Sequence, residues 1–116
     1  MREPAGRDAP GPRGTVLAFD FGERYTGVAV GELETATAHS LDHIEARGAA
    51  DRFAAIARLV GEWQPVLLVV GVPFSLDGTA HALTERAEKF ARQLAARHAL
   101  PVARVDERLT SADAED

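Results

Sequence analysis

The chain has no cysteine, which excludes disulfide scaffolds, thiolate zinc sites and thiol nucleophiles. No apolar run approaches the roughly 18 residues that a helical membrane span requires. The first fourteen residues contain no apolar stretch of the kind a secretory signal carries. A soluble, cytoplasmic domain is therefore expected. Lysine is nearly absent too: twelve of the thirteen basic residues are arginine, the better side chain for bidentate phosphate contact, although a GC-rich genome gives the same bias. There are no internal repeats. With 116 residues, 46% of them apolar, the chain makes one domain with a real core.

The formal net charge is −5, and −4 of it lies in the last eleven residues, from Asp106 to Asp116. A chain so charged is globally a poor polyanion binder. A nucleic-acid role must rest on a local patch. Residues 1–14 hold three of the six prolines and three of the ten glycines without apolar periodicity, which reads as a disordered extension. Residues 15–116 form the domain.

Thr15–Asp20 is a near-continuous apolar run ending on an acid, as in a central strand buried on both faces. A turn at 21–24 leads into an antiparallel strand, Tyr25–Gly31, and residues 34–44 read as a weaker edge strand. Phe53, Ile56, Val60 and Trp63 form one stripe of a helix from about Ala49 to Trp63, stopped by Pro65. Val66–Gly71 is another buried strand. The loop Pro73–Thr79 follows it, with helix-capping chemistry expected from Asp77 or Thr79. Leu83, Ala87, Phe90 and Leu94 space a second helix that Pro101 ends. Pro101–Val105 is the last strand, and Thr110–Asp116 looks like the first turn of a further helix. The order β-β-β-α-β-α-β is not that of an alternating doubly wound sheet. It predicts an α/β fold of the ribonuclease-H-like type, a mixed five-stranded sheet flanked by helices, with the closing C-terminal helix truncated.

Asp20 sits at the end of a central strand, where a carboxylate is costly unless a cation or donors compensate it. Asp20-Phe21-Gly22 is not a kinase signature, since no His-Arg-Asp loop accompanies it. Gly22 to Gly27 has the spacing of a phosphate loop, but Val28 stands where lysine is required. Asp106-Glu107-Arg108 ends the last strand and brings a second acidic site to the same sheet edge, where open α/β sheets bind ligands. Two carboxylates converging there repel unless one is protonated or a cation joins them. Mg²⁺ suits such oxygens; an ion pair of Arg108 with Asp106 or Glu107 is the plainer alternative. Ser75, Asp77 and Thr79 lie in a backbone-rich loop beside this site or merely serve the turn. Arg86, Lys89, Gln93 and Arg97 make a mostly basic stripe on the second helix, either tracking phosphates or snorkelling off its buried face. His39 and His43 lack a third metal ligand.

LAFDFGERYTGVAVG (17–31), EWQPVLLVVGVPFSLDGT (62–79) and VDERLTS (105–111) together resemble the YqgF (RuvX-like) family. These are Holliday-junction-resolvase-like nucleases linked to pre-16S rRNA processing. The resemblance covers residues 15–116. It implies a nuclease that cleaves phosphodiesters with Mg²⁺ or Mn²⁺, processing the 5′ end of pre-16S rRNA or acting on branched DNA. Asp20 and Glu107 would be the catalytic metal ligands. Asp106, Arg108, Gly22, Asp77 and Thr79 would support them, and Arg86, Lys89 and Arg97 would contact nucleic acid. Resolvases of this fold carry an acid in the fourth strand, where this chain has Val70-Gly71-Val72, and the family continues into a final helix with another carboxylate.

The alternative reading is a non-catalytic nucleic-acid-binding or ribosome-assembly module that keeps the fold without the full metal site. A sugar-kinase-like phosphotransferase half-domain is a third, which needs a second phosphate loop and a far longer chain. Two charges hold one hydrated Mg²⁺ more readily than the two ions of a two-metal site. The chain is accordingly expected to cleave weakly and, with sheet surface uncovered, to form a homodimer.

Overall fold

The computed structural model describes residues 13–75, 77, 78 and 81–109, the last two by their backbone. Its element order is β1 (Thr15–Asp20), β2 (Tyr25–Glu32), β3 (Thr37–Glu45), α1 (Ala49–Trp63), β4 (Leu67–Ser75), α2 (Ala82–His98) and β5 (Val102–Leu109). One five-stranded sheet runs β3-β2-β1-β4-β5. β1 pairs antiparallel with β2 and parallel with β4, and β5 is parallel to β4. The mixed sheet with β1 at its centre is the one the element order predicts. The expected further helix from Thr110 lies outside the described residues, as does the expected extension through Pro12.

Alternation along the strands separates the two faces. Leu17 and Phe19, Val28 and Val30, and Leu68, Val70 and Val72 are buried on one face. α1 and α2 cover that face side by side. Their seam is aromatic: Phe90 of α2 meets Phe19 edge-on at 6.2 Å, Phe21 at 5.0 Å and Phe53 of α1 at 5.9 Å. The stripes read from the sequence supply this core, with Phe53 and Ile56 from α1 and Ala87, Phe90 and Leu94 from α2 buried in it. Val60 and Trp63 pack at its rim. The opposite face presents small residues: Ala18 of β1, Gly27 and Ala29 of β2, Gly71 of β4.

Four boundaries differ from expectation. β3 starts at Thr37, because residues 33–36 turn, with Ala36 in the left-handed region at φ 54°. β4 extends to Ser75 and β5 to Leu109, pairing through Ser75↔Leu109, so two acids expected after the last strand lie within it. α2 starts at Ala82 with His81 as its N-cap residue, and Thr79, one of the expected caps, lies outside the described residues. Thr84 in its first turn accepts from the His81 N–H at 3.1 Å and donates to the Pro73 carbonyl, tying the helix to β4. Both helices end on left-handed residues one or two positions before a proline: Gln64 donates to Val60 O at 2.8 Å and Ala99 to Ala95 O at 3.0 Å.

Candidate active site

Strand register brings the acidic pair together. Asp20, last residue of β1, stands between Gly27 of β2 and Gly71 of β4. Gly71 in turn faces Val105 of β5, and Glu107 lies two residues further along β5 on the same face. Neither flanking glycine has a side chain to fill the space beside Asp20. A Cβ on Gly27 would sit 3.4 Å from the Asp20 Cβ. A Cβ on Gly71 would sit 2.7 Å from Glu107 Oε2 and closer still to Oε1. The Glu107 carboxylate therefore lies flat over Gly71, in the place a fourth-strand side chain would occupy, and reaches Asp20 from there.

Asp20 acts on the Glu107 carboxyl. The Glu107 pKa is raised from 4.5 to about 7, first by burial of its carboxyl, then by a hydrogen bond with Asp20 and by that residue's negative charge. The residue as a whole is exposed along its edge strand, while its carboxyl end lies down on the sheet. A depression of about 380 Å³ opens over the pair, lined by Ala18, Ala29, Ser40, Val69 and Val105 among others. Two carboxyl groups side by side at an open depression are a donor set of hard oxygens to which water has access, and a hard divalent cation fits it. Among the described residues no group of three His, Cys, Asp or Glu converges.

The other expected site residues fall into distinct places. Asp106 registers opposite Val72, whose side chain is on the helix-covered face, so alternation turns it away from Glu107. Gly22 lies in the turn after Asp20, where a Cβ would collide with the Tyr25 carbonyl. Its own carbonyl accepts from Thr26 Oγ1 at 3.5 Å and from Arg52 at 3.2 Å. Asp77 is exposed in the turn after β4, where Gly78 takes φ 87° and donates to Ser75 O at 2.8 Å. Thr79 and the Arg108 side chain lie outside the described residues. Arg86 pairs with Glu23, and Arg86 and Lys89 line a second, smaller cavity on the helix side. Arg97 is placed over the Phe53 ring at 3.9 Å.

Two residues that sequence reasoning passed over organise the region. Gly71 interrupts a run of valines, a signal for close approach to a strand. Arg52 sits one turn before Ile56, on the buried side of α1, where an arginine needs a reason. It is 8% exposed and holds the turn after Asp20, donating to Gly22 O at 3.2 Å and Glu23 O at 2.6 Å.

Comparison with known proteins identifies the family and the fold. The sequence profile of the RuvX family, described as Holliday junction resolvase, matches residues 14–116. A Dechloromonas aromatica protein is 59% identical over 102 residues, covering 88% of this chain and 70% of the relative. One from Methylobacillus flagellatus is 54% identical over 114 residues, covering 98% and 75%. Both bear the name "Putative pre-16S rRNA nuclease". Among solved structures, Thermus thermophilus RuvC superposes with a TM-score of 0.58 at 17% identity, over 79% of this chain and 63% of RuvC. The same protein in complex with a Holliday junction gives 0.58 at 16% identity, over 80% and 66%. The fold is thus ribonuclease-H-like.

Proposed function

Because this chain belongs to the RuvX family, a family of phosphodiester hydrolases, we propose that it is a cytoplasmic, divalent-metal-dependent endonuclease that trims the 5′ end of the precursor of 16S rRNA. The observation that carries the site assignment is the Asp20–Glu107 pair over Gly71. Asp20 and Glu107 would hold Mg²⁺ or Mn²⁺, which when bound supplies positive charge to the oxygens of the phosphodiester. Asp20 is oriented by the turn that Arg52 grips from beneath. Glu107 is oriented by the bare backbone of Gly71, and Gly27 leaves open the side from which a substrate strand approaches. The raised Glu107 pKa, from burial and from the neighbouring Asp20 charge, marks the pair as a place where positive charge is favoured.

The pre-16S substrate rests on the names of the relatives; branched DNA is the other candidate, from the family's description and from the junction bound by RuvC. The test is cleavage of a pre-16S 5′-end transcript and of a four-way DNA junction, each with Mg²⁺, Mn²⁺ or EDTA. Metal-dependent cleavage of the transcript, lost in Asp20→Asn while the fold persists, is the expected result. A protein that unfolds on Asp20→Asn would make the residue structural and remove the anchor of this reading. A second reading, a ribosome-assembly module that binds RNA without cutting it, is favoured by there being only two converging carboxylates among the described residues. Tight RNA binding without cleavage under any metal would select it.

A further inference from the structure

On the helix side of the same turn lies a cavity of about 180 Å³, lined by Phe21, Ala49, Arg52, Phe53, Arg86, Lys89, Phe90 and Gln93. Three of these residues are cations, one is an amide, and three are phenylalanine rings. Arg52 is nine-tenths buried. One of its terminal nitrogens is spent on Gly22 O and Glu23 O, and its guanidinium lies over the Phe21 ring at 4.9 Å. Its Nε is buried and finds no acceptor among the described residues. A buried charged donor without a partner is unfavourable, and such groups are normally satisfied. Beside it, α1 begins at Gly48 without a side-chain cap, so its first-turn N–H groups add positive potential where Ala49 lines the cavity. Arg86 and Lys89, one turn apart on α2, complete the opposite wall.

We propose that this cleft is a phosphate-binding site, in which Arg52, Arg86 and Lys89 hold a backbone phosphate of the nucleic acid away from the bond that is cut. An anion seated there meets Arg52 and Lys89, takes the place of the Glu23 carboxylate on Arg86, and gives the buried Nε its missing acceptor. A phosphate has the charge and the several acceptor oxygens that such a cluster matches. The phenylalanine walls suit the sugar or base attached to it better than they suit a free hydrated ion. The cleft is joined to the acidic pair through the chain itself: Phe21, Gly22 and Glu23 follow Asp20 directly, and Arg52 contacts all three. A strand wrapping over the end of β1 reaches both, its scissile phosphate on the open face and a neighbouring phosphate on the helix face. The inference rests on the nuclease reading for the identity of the anion's carrier.

The test measures binding rather than cleavage. Fluorescence anisotropy of a single-stranded RNA in EDTA, over a series of KCl concentrations, compares the wild type with the double variant Arg86→Ala/Lys89→Ala and with Arg58→Ala, a single-charge control exposed on α1 outside the cleft. The double variant is expected to bind roughly tenfold more weakly, with a salt slope smaller by about 0.7 to 1.4, the loss of one to two phosphate contacts on a single strand. Arg58→Ala should keep the wild-type slope. Inorganic pyrophosphate should shift the amide resonances of Ala49 and Arg52 in the wild type and not in the double variant. Wild-type slope in the double variant, or an equal loss in Arg58→Ala, overturns the proposal. Pyrophosphate shifts with an unchanged RNA slope would make the cleft a site for free phosphate compounds and overturn its assignment to nucleic acid. Wild-type cleavage with Mn²⁺, measured separately, tells failure of the nuclease reading from failure of this one.

Discussion

At the scale of the residue, the site turns on what Gly71 lacks. Any side chain there would take the space of the Glu107 carboxylate. Gly71→Ala should therefore leave the sheet folded and displace Glu107 by about the width of a methyl group. Misplacement on that scale costs about 10²-fold in rate, to be read in a single-turnover cleavage assay beside a thermal melt. The pH dependence of stability follows from the same carboxyl. With the Glu107 pKa raised to about 7 from 4.5, the folded metal-free protein retains a proton through that window that the unfolded chain has released. Its contribution to stability is full below the unfolded value and is lost as pH rises through about 7. Glu107→Gln should remove this fall, so that urea midpoints at pH 5 and pH 8, both in EDTA, draw together. Glu34 works in the opposite sense. The Gly14 N–H at 2.8 Å lowers its pKa, so its small contribution disappears as pH falls through that lowered value.

At the scale of the element, each helix is fastened to the sheet near the site by one polar side chain. Arg52 fastens α1 to the turn after β1, and Thr84 fastens α2 to the end of β4. Thr84 is 3% exposed, and its hydroxyl both accepts from His81 and donates to Pro73. Thr84→Val keeps the shape and leaves a buried carbonyl and an N–H unsatisfied. A loss of about 1–3 kcal/mol is expected, measured by urea unfolding. α1 was legible to the residue, because an apolar stripe of helical period ran between a glycine and a proline. The start of α2 was not, because its N-cap is a histidine, capped reciprocally with Thr84, and the Thr84 hydroxyl is also held by a carbonyl eleven residues upstream.

At the scale of the whole molecule, both helices lie on one face of the sheet and the Asp20–Glu107 pair lies on the other. Phe90 is the point where the halves of the helix layer meet, in contact with aromatic rings from β1, the turn and α1. Phe90→Ala should cost about 3–5 kcal/mol, a large part of the roughly 5–15 kcal/mol that holds a domain of this kind folded. The variant should lower the midpoint of thermal unfolding for the whole domain in a single transition, as followed by circular dichroism. Among the described residues no helix is long and apolar enough to cross a membrane.

Local period and local chemistry were enough for the strand runs, the two helical stripes and the stops before Pro65 and Pro101, since each depends on residues within a few positions of one another. The placement of Asp20 at a sheet end was legible for the same reason. Which acid of Asp106-Glu107 faces Asp20 was a different kind of question. β5 continues past Val105, and strand parity then turns Glu107 toward the pair and Asp106 away from it. The seat of Glu107 over Gly71 and the grip of Arg52 on the turn join residues far apart in the chain. Such contacts are set by register across the sheet and by helix packing, and no period within a short window encodes them.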